Sequence, residues 1–371
     1  MEVTLRREQE TKEEMQVIRH SEQALKTALI SKNGQLIKLY EKLSQGERRL
    51  LNEAFRPDSV LFQPISVHSE SDWIPSHPEP TQDFEQFYQN PYRSTPSAKR
   101  SIIYVQPIGS FGDSRVTAED YLHWLKSYCE AFYYGLAVKI LQPIPVSSTS
   151  CAFRVNEHTH NLQIHAEDLL KFLKQMKPKD AFCIVGLTMI DLYPKESWNF
   201  VFGQASLTEG MGIFSFARYD SDFYSRNYKG RLKPGKKLTA GDYSVFDGYY
   251  TPPVTSTLLL RSCKTLTHEL GHIFGLRHCQ WLQCVMQGSN HLEESDRRPP
   301  ELCPICLRKL HCALGFNIAE RYKALLHWID GGGCGVEDPG CSHKTRHSPK
   351  AVEDFKEHRG WILKCLDLLQ Q

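Results

Sequence analysis

The sequence predicts an α/β (α+β) fold in which a mixed sheet is backed by helices. From residue 101 onward, short apolar segments typical of strands alternate with longer segments that carry apolar residues at helical spacing. Near residue 270, one long helical pattern contains two histidines four residues apart, and four cysteines follow it. We therefore expect a sheet domain with a site-bearing helix and a small cysteine-rich subdomain.

The first hundred residues have a different character. Residues 12–55 carry apolar residues at helical spacing, and the pair Asn33-Gly34 predicts a break between helices. Residues 56–100 are rich in Pro, Ser and Asn, which predicts a long irregular connection. We interpret residues 1–100 as an accessory region.

The central domain is expected to span residues 101–330. Strands are predicted for SIIYVQPIG, LAVKILQPI, DAFCIVGLTMIDLY, NFVFGQA and GMGIFSFARY. Helices are predicted for TAEDYLHWLKSYCEAFYY, AEDLLKFLKQM, TSTLLLRSCKTLTHELGHIFGL and IAERYKALLHWI. A flexible segment and a C-terminal helix are expected in residues 331–371. The role of Cys334 and Cys341, which lie in that segment, is left open.

Charge and hydropathy argue against several classes of protein. The chain has 45 Lys and Arg against 43 Asp and Glu, so its charge favours neither nucleic acid nor an anionic membrane as main partner. The most apolar window, AFCIVGLTMI, is shorter than the roughly 20 residues that cross a bilayer, and the start lacks the apolar core of a secretory signal. We expect a cytoplasmic protein, with the nucleus as the alternative, whose 12 cysteines are mostly reduced or metal-bound.

The stretch HELGHIFGLRH predicts a catalytic metal site. His268 and His272 are four residues apart, so both rings lie on one helix face and can reach one metal ion. Glu269 occupies the position of the general base in HExxH sites. His278 can join the same ion only if the helix ends first, and Gly275 permits a left-handed helix end. Three histidines leave a fourth position for water, which is typical of catalytic zinc.

The four cysteines predict a second, structural zinc site. Cys279 and Cys284 form one close pair, and Cys303 and Cys306 form another, which together complete a tetrahedral shell. Pro304 is expected to set a tight turn between the last two ligands. The alternatives are reduced, merely buried cysteines or a labile redox pair. With both shells filled, we expect two zinc ions per chain.

Some assignments near these clusters have competitors. His278 is adjacent to Cys279 and could join the cysteines, but four cysteines already fill a tetrahedral shell, so we assign it to the histidine site. The spare candidates are His291, His311 and Cys312. For the histidines, the alternative interpretation is a buried apolar helix that carries them by chance. The register of Gly275 and His278 argues against that alternative.

These motifs resemble a known family. HExxHxxGxxH followed by a later methionine, Met286, resembles the metzincin class of zinc peptidases, and the cysteine pairs narrow the resemblance to the archaemetzincins. The motif covers residues 268–306. The resemblance implies a metzincin-like fold, Glu269 as the base, Met286 as the Met-turn residue and a second zinc held by cysteines. It further implies a catalytic zinc with the ligands His268, His272 and His278.

The function expected from these motifs is hydrolysis of peptide bonds. The resemblance implies peptide or protein substrates, with a leaning towards aminopeptidase-like cleavage of short peptides. We further expect a monomer, and a strand near residues 212–219 that forms an edge for an extended peptide. One alternative is a zinc-stabilised interaction protein with little or no turnover, which Glu269 argues against. Another is a nucleic-acid-binding zinc module, which the lack of a basic stripe around Cys303 and Cys306 argues against.

Overall fold

The chain folds into alternating strands and helices. The computed structural model describes residues 16–111, 118–232, 238–239, 241–331 and 353–371. The strands are β1 Gln16–Ile18, β2 Ile65–Val67, β3 Ile102–Ile108, β4 Ala137–Ile140, β5 Phe153–Val155, β6 Leu162–His165, β7 Ala181–Thr188, β8 Asp191–Tyr193, β9 Gly203–Ser206 and β10 Met211–Ser215. The helices are α1 Glu22–Ile30, α2 Gly34–Glu41, α3 Gln45–Asn52, α4 Trp73–Ser76, α5 Phe84–Gln89, α6 Ala118–Phe132, α7 Ala166–Met176, α8 Ser256–Ile273, α9 Leu292–Arg297, α10 Pro304–Leu314, α11 Ile318–Ile329 and α12 Lys356–Gln370.

The main sheet is mixed, which confirms the predicted fold class. Its strand order is β4-β3-β7-β10-β9. The first four strands run parallel, and β9 runs antiparallel to β10. The expectation of an edge near residues 212–219 is wrong, because β10 pairs on both sides, with β7 and with β9. Among the described strands, β9 is the edge strand at this end of the sheet.

Helices cover both faces of this sheet. Cys183, Val185 and Leu187 of β7 face the core that also contains α6 and α8, whereas Ile184 faces a second core built with α7. This division follows from the alternation of side chains along a strand, and burial on both faces explains why β7 reads as a continuous apolar run. Helix α8 packs on the sheet at the end formed by β9, and these two elements are in contact.

One predicted strand proves to be two. DAFCIVGLTMIDLY forms β7 in the main sheet and then β8, which joins β5 and β6 in a separate three-stranded sheet. Asp191 of β8 is buried in an ion pair with Arg218, whose guanidinium donates to both carboxylate oxygens at 2.8 and 2.7 Å. This pair ties the smaller sheet to the chain that leaves β10.

The N-terminal residues pack into the same core as the central domain. Asn33 caps α2 by accepting a hydrogen bond from the Gln35 amide at 2.9 Å, which confirms the break predicted at Asn33-Gly34. Leu29 and Leu50 from this region belong to the core that contains α8. The domain boundaries at residues 100 and 330 stay a prediction.

The chain beyond the central domain returns to this core. Helix α11 packs on α6 and on α12, and α12 also contacts α3. Cys334 and Cys341 lie outside the described residues, as does most of the segment expected to be flexible. In the part of the chain that the structure describes, no helix combines the length and the apolar character needed to cross a membrane.

Candidate active site

Helix α8 carries the first half of the histidine motif. The Thr255 hydroxyl caps its start by accepting a hydrogen bond from the Leu258 amide at 3.1 Å. One face of the α8 segment is apolar and buried, since its members are at most 1% exposed: Leu259, Cys263, Leu266, Leu270, Ile273 and Phe274. Burial of this face fixes the rotation of α8 and therefore the direction in which its histidines point.

Gly275 ends the helix as the sequence predicts. Its φ is +92°, in the left-handed region that favours glycine. The Gly275 amide donates to the His272 carbonyl at 2.8 Å, and the Leu276 amide donates to the Gly271 carbonyl at 3.1 Å. These two bonds form a Schellman motif, which turns the chain back on itself. The turn returns His278 to the level of α8.

The three histidine rings converge on one space. The ring centroids of His268 and His272 are 4.6 Å apart. The ring centroid of His278 lies 5.3 Å from that of His268 and 4.8 Å from that of His272. Nε2 of His268 and Nε2 of His272 are 3.0 Å apart. Their Nδ1 atoms are engaged elsewhere, since they contact the carbonyl oxygens of Val285 at 2.8 Å and of Leu276 at 2.7 Å. The Nε2 atoms are therefore left to face the shared space.

The electrostatic environment suits metal ligation. Burial holds the pKa of His268 well below its usual value and lowers the pKa of His272 to about 4. The pKa of His278 is also lowered by burial. All three imidazoles are therefore neutral near pH 7, which is the form that binds metals. Three neutral nitrogen ligands whose ligand atoms lie within 4.8 Å of one another fit a zinc ion with an open position.

Glu269 stands next to the first histidine with a perturbed carboxyl group. Burial raises its pKa to about 7, while the nearby guanidinium of Arg298 acts in the opposite direction. Its side chain makes no hydrogen bond to any residue that the structure describes, and it is partly exposed. Both carboxylate oxygens are therefore free to meet a reactant.

Met286 lies beneath the histidines. It is fully buried, and a Cβ on Gly271 of α8 would stand only 2.5 Å from its sulfur. The sulfur therefore packs against the helix between His268 and His272, which requires glycine at position 271. The Met286 carbonyl accepts a hydrogen bond from the Cys279 amide at 2.8 Å, so the methionine is also fixed to the cysteine segment.

The four predicted cysteines form one buried cluster. Their sulfur atoms lie within 4.8 Å of one another, and Sγ of Cys279 is 3.6 Å from Sγ of Cys303. That separation is close to the ~3.8 Å expected between ligands of a tetrahedral zinc with Zn–S bonds of about 2.3 Å. Hydrogen bonds from the other three thiols lower the pKa of Cys279, while burial raises the pKa of Cys284 and of Cys303. The donor set fits a dication that compensates several thiolates.

Details around the cysteines differ from the sequence predictions. Pro304 does not form a tight turn, because it is the first residue of α10 and Cys303 is the N-cap. His311 and Cys312, although considered as ligands, belong to no metal-ligating group among the described residues. His291 lies close to Asp72 and Glu294. That group is a set of structural contacts, since its two carboxylates already accept hydrogen bonds: Asp72 from His68 and Arg297, and Glu294 from Trp73 and Asn290.

The N-terminal region reaches the histidine site, which sequence reasoning missed. Glu79 contacts Nδ1 of His278 through Oε2 at 2.9 Å and Oε1 at 3.2 Å. The Gln82 amide group donates to the Gly275 carbonyl at 3.0 Å and accepts from the Arg277 amide at 3.1 Å. No sequence signal could have found these residues, because they lie in a motif-free segment almost 200 positions from their partners.

This region also forms one wall of a cleft. A cavity of about 580 Å³ is bounded by Glu79, Pro80, Asn90 and Tyr92 from the N-terminal side. From the opposite side it is bounded by the two residues after β9 and by the chain around the histidines, namely Leu207, Thr208, His272, Ile273, Gly275, Leu276, Arg277 and His278. The open end of the sheet and the histidine site therefore share one cleft.

Comparison with known proteins places the chain in a family. Residues 202–312 match the model of peptidase family M54. The chain is 66% identical to archaemetzincin-2 of Homo sapiens, over 96% of this chain and 100% of that protein. It is 40% identical to archaemetzincin-1 of Rattus norvegicus, over 82% of this chain and 61% of that protein. The crystal structure of archaemetzincin from Methanopyrus kandleri aligns with 60% of this chain and 99% of that one, at 28% identity and a TM-score of 0.37.

The degree and extent of sequence identity decide the assignment. Identity of 66% extends over nearly the whole chain, well beyond the residues that carry the histidine and cysteine motifs. The chain therefore belongs to the archaemetzincins, the zinc metallopeptidases of peptidase family M54.

Proposed function

We propose that the three-histidine site is where this metallopeptidase hydrolyses peptide bonds. The observation that carries the proposal is the convergence of His268, His272 and His278 beside the unpaired carboxylate of Glu269. Zinc bound by the three histidines supplies a Lewis acid that polarises a scissile carbonyl and makes water more acidic. The histidines would hold the zinc ion, and Met286 packs against the helix that carries two of them.

Glu269 is the proposed general base. Its pKa of about 7 is close to the operating pH, where a carboxylate takes a proton from water and returns it to the leaving amine most effectively. The absence of hydrogen bonds between Glu269 and other described residues supports this role, because neither oxygen has to leave a partner first. Ligation of a metal by three histidines alone would not require an acid at this position.

The proposed substrate is an extended short peptide that adds to the free edge of β9. An edge strand offers main-chain donors and acceptors to a peptide, and β9 leads directly into Leu207 and Thr208 at the cleft. A cavity of about 580 Å³, walled by Pro80 and Tyr92, has the size of a small-ligand site and favours short peptides. This supports aminopeptidase-like cleavage.

Matched peptides test that preference. A set of short peptides with a free amino end should be cleaved faster than the same set with an acetylated end. Equal rates on both sets, or cuts distributed through long chains, would instead assign endopeptidase activity to the same site.

The cysteine cluster is the proposed site of a second, structural zinc, giving two zinc ions per chain. Its buried thiols, close to tetrahedral separation, support this assignment. Free thiols persist in reducing compartments, which fits the proposed location in the cytoplasm or nucleus. Metal analysis of purified protein should return two zinc ions, and a single ion would remove one of the two assignments.

Glu269→Gln tests the mechanism. The substitution keeps the side-chain volume and leaves the three histidines unchanged, so the zinc content should stay the same. Turnover should fall by about 10²–10⁴-fold, since this is the usual contribution of a positioned general base. Zinc content and turnover are measured on one preparation, because loss of metal would also remove activity. Unchanged turnover with full zinc would refute the proposed role of Glu269.

A further inference from the structure

We infer that Glu79, from the N-terminal accessory region, is a positioning residue of the histidine site, where its carboxylate orients His278. The inference rests on the proposed function, because it takes His278 as a ligand of the catalytic zinc. It extends that site beyond the matched residues 202–312 and gives part of residues 1–100 a role in zinc binding.

The three histidines differ in what holds their Nδ1 atoms. Nδ1 of His268 contacts the backbone carbonyl of Val285 and lies 3.1 Å from Nη1 of Arg298, and Nδ1 of His272 contacts the backbone carbonyl of Leu276. His278 instead contacts a carboxylate, that of Glu79, at 2.9 Å and 3.2 Å. An Nδ1–H that donates to a carboxylate leaves Nε2 unprotonated and available to a metal.

Glu79 is itself held in a fixed place. The Trp73 indole nitrogen donates to its Oε2 at 3.2 Å, and the Gln280 side chain donates to its carbonyl at 2.8 Å. The Trp73 ring packs edge-on against the His278 ring, with centroids 4.7 Å apart. Carboxylate, indole and imidazole therefore form one connected unit.

The position of Trp73 depends on two contacts from the other side. Its amide donates to Oε1 of Glu294 at 2.8 Å. A Cβ on Gly288 would stand 2.4 Å from the indole, so the ring lies directly on a backbone that tolerates no side chain. These contacts hold the N-terminal segment against the chain that follows Met286.

This arrangement has a known physical effect. A carboxylate that accepts from a ligating histidine fixes its tautomer and ring orientation and raises the basicity of the metal-binding nitrogen. Loss of such a partner typically weakens metal binding about 10–100-fold. Glu79→Ala should therefore weaken zinc binding at the histidine site by that factor and leave the cysteine-site zinc in place.

The matched control is Glu85→Ala. Glu85 lies in the same N-terminal segment, and its carboxylate accepts a hydrogen bond from the Ser31 hydroxyl at 2.5 Å, away from the histidines. For both variants, chelator competition gives the zinc dissociation constant of the histidine site, and cobalt substitution gives its absorption spectrum. We expect weaker binding and altered cobalt bands for Glu79→Ala, and wild-type values for Glu85→Ala. A purely structural role would lower melting temperature without moving the cobalt bands.

Glu79→Gln adds a conservative variant. It retains an acceptor oxygen without the charge, so its loss of affinity should lie between those of Glu85→Ala and Glu79→Ala. If Glu79→Ala does not fold, Glu79→Gln decides alone. Wild-type affinity and spectrum in every folded Glu79 variant would overturn the inference.

The same measurements separate this inference from the proposed function. Two zinc ions retained by the His272→Ala variant, or only the cysteine-site ion bound by the wild-type chain, would refute the histidine zinc site itself. If the wild-type chain binds zinc at the histidine site and the Glu79 variants bind it with the same affinity, only the role of Glu79 is refuted.

Discussion

Replacing Gly275 with alanine tests whether the left-handed turn sets the geometry of the histidine site. At φ +92°, an alanine costs about 1–2 kcal/mol relative to an allowed conformation. Its Cβ would also stand 3.2 Å from Cγ of Arg93, a side chain that can give way by a few tenths of an ångström. With an unfolding entropy of about 2.1 cal/mol/K per residue over 371 residues, this cost lowers the melting temperature by about 1–3 °C.

The larger effect should appear in zinc binding. Without zinc, the turn can relax and let His278 move away, whereas bound zinc requires the strained turn. The strain of about 1–2 kcal/mol then counts against binding, which corresponds to about a 5- to 30-fold loss of affinity. Gly275→Asn should lose less, because asparagine adopts left-handed conformations more readily.

Gly315→Ala provides the control. Gly315 ends α10 with φ +69°, and a Cβ there would meet no atom within 4 Å. It should lower the melting temperature by a similar amount and leave zinc binding unchanged. Thermal unfolding and chelator competition are measured on both variants. If both lose equal stability and neither loses zinc affinity, the turn at Gly275 does not determine the position of His278.

Two further substitutions test other parts of the site. Cys284→Ser should lower the melting temperature more than His272→Ala, because a closed cysteine site contributes directly to folding, and the reverse order would exchange the roles of the two sites. Burial lowers the pKa of Lys264 to about 7. As the pH rises from about 7 to about 10.4, the free energy of unfolding of the wild type should therefore increase relative to that of Lys264→Met. In that window the unfolded state binds the proton that the folded state has released, so a difference independent of pH would contradict this reasoning.

Local patterns predicted most of the elements. The helix IAERYKALLHWI agrees with α11, because apolar spacing and the N-cap Asn317 act within a few residues. The division of the chain around β7 and β8 was missed, since a continuous apolar run does not show which sheet each part will join. The edge strand was misplaced for a related reason. β10 pairs with both β7 and β9, and neither pairing leaves a mark on the sequence of β10 itself.

The ligand clusters were predictable because their spacing is short. Helical geometry brings His268 and His272 together, Gly275 reverses the chain, and each cysteine pair spans only a few residues. The surroundings of the site were not predictable. Glu79 and Trp73 lie in a segment without regular periodicity, and only the packed tertiary structure brings them to His278.

The order of ligands along the chain couples the two clusters. His278 and Cys279 are consecutive, so the last ligand of one site and the first ligand of the other share a peptide bond. The Cys279 amide donates to the Met286 carbonyl at 2.8 Å, and the Met286 amide donates to Sγ of Cys284 at 3.4 Å. A metal that fixes the cysteines therefore also fixes the methionine below the histidines and the backbone of the third histidine. Because these bonds connect the two sites, we expect disorder in the cysteine cluster to reach the backbone of the third histidine, whereas removal of one imidazole, as in His272→Ala, breaks none of these bonds.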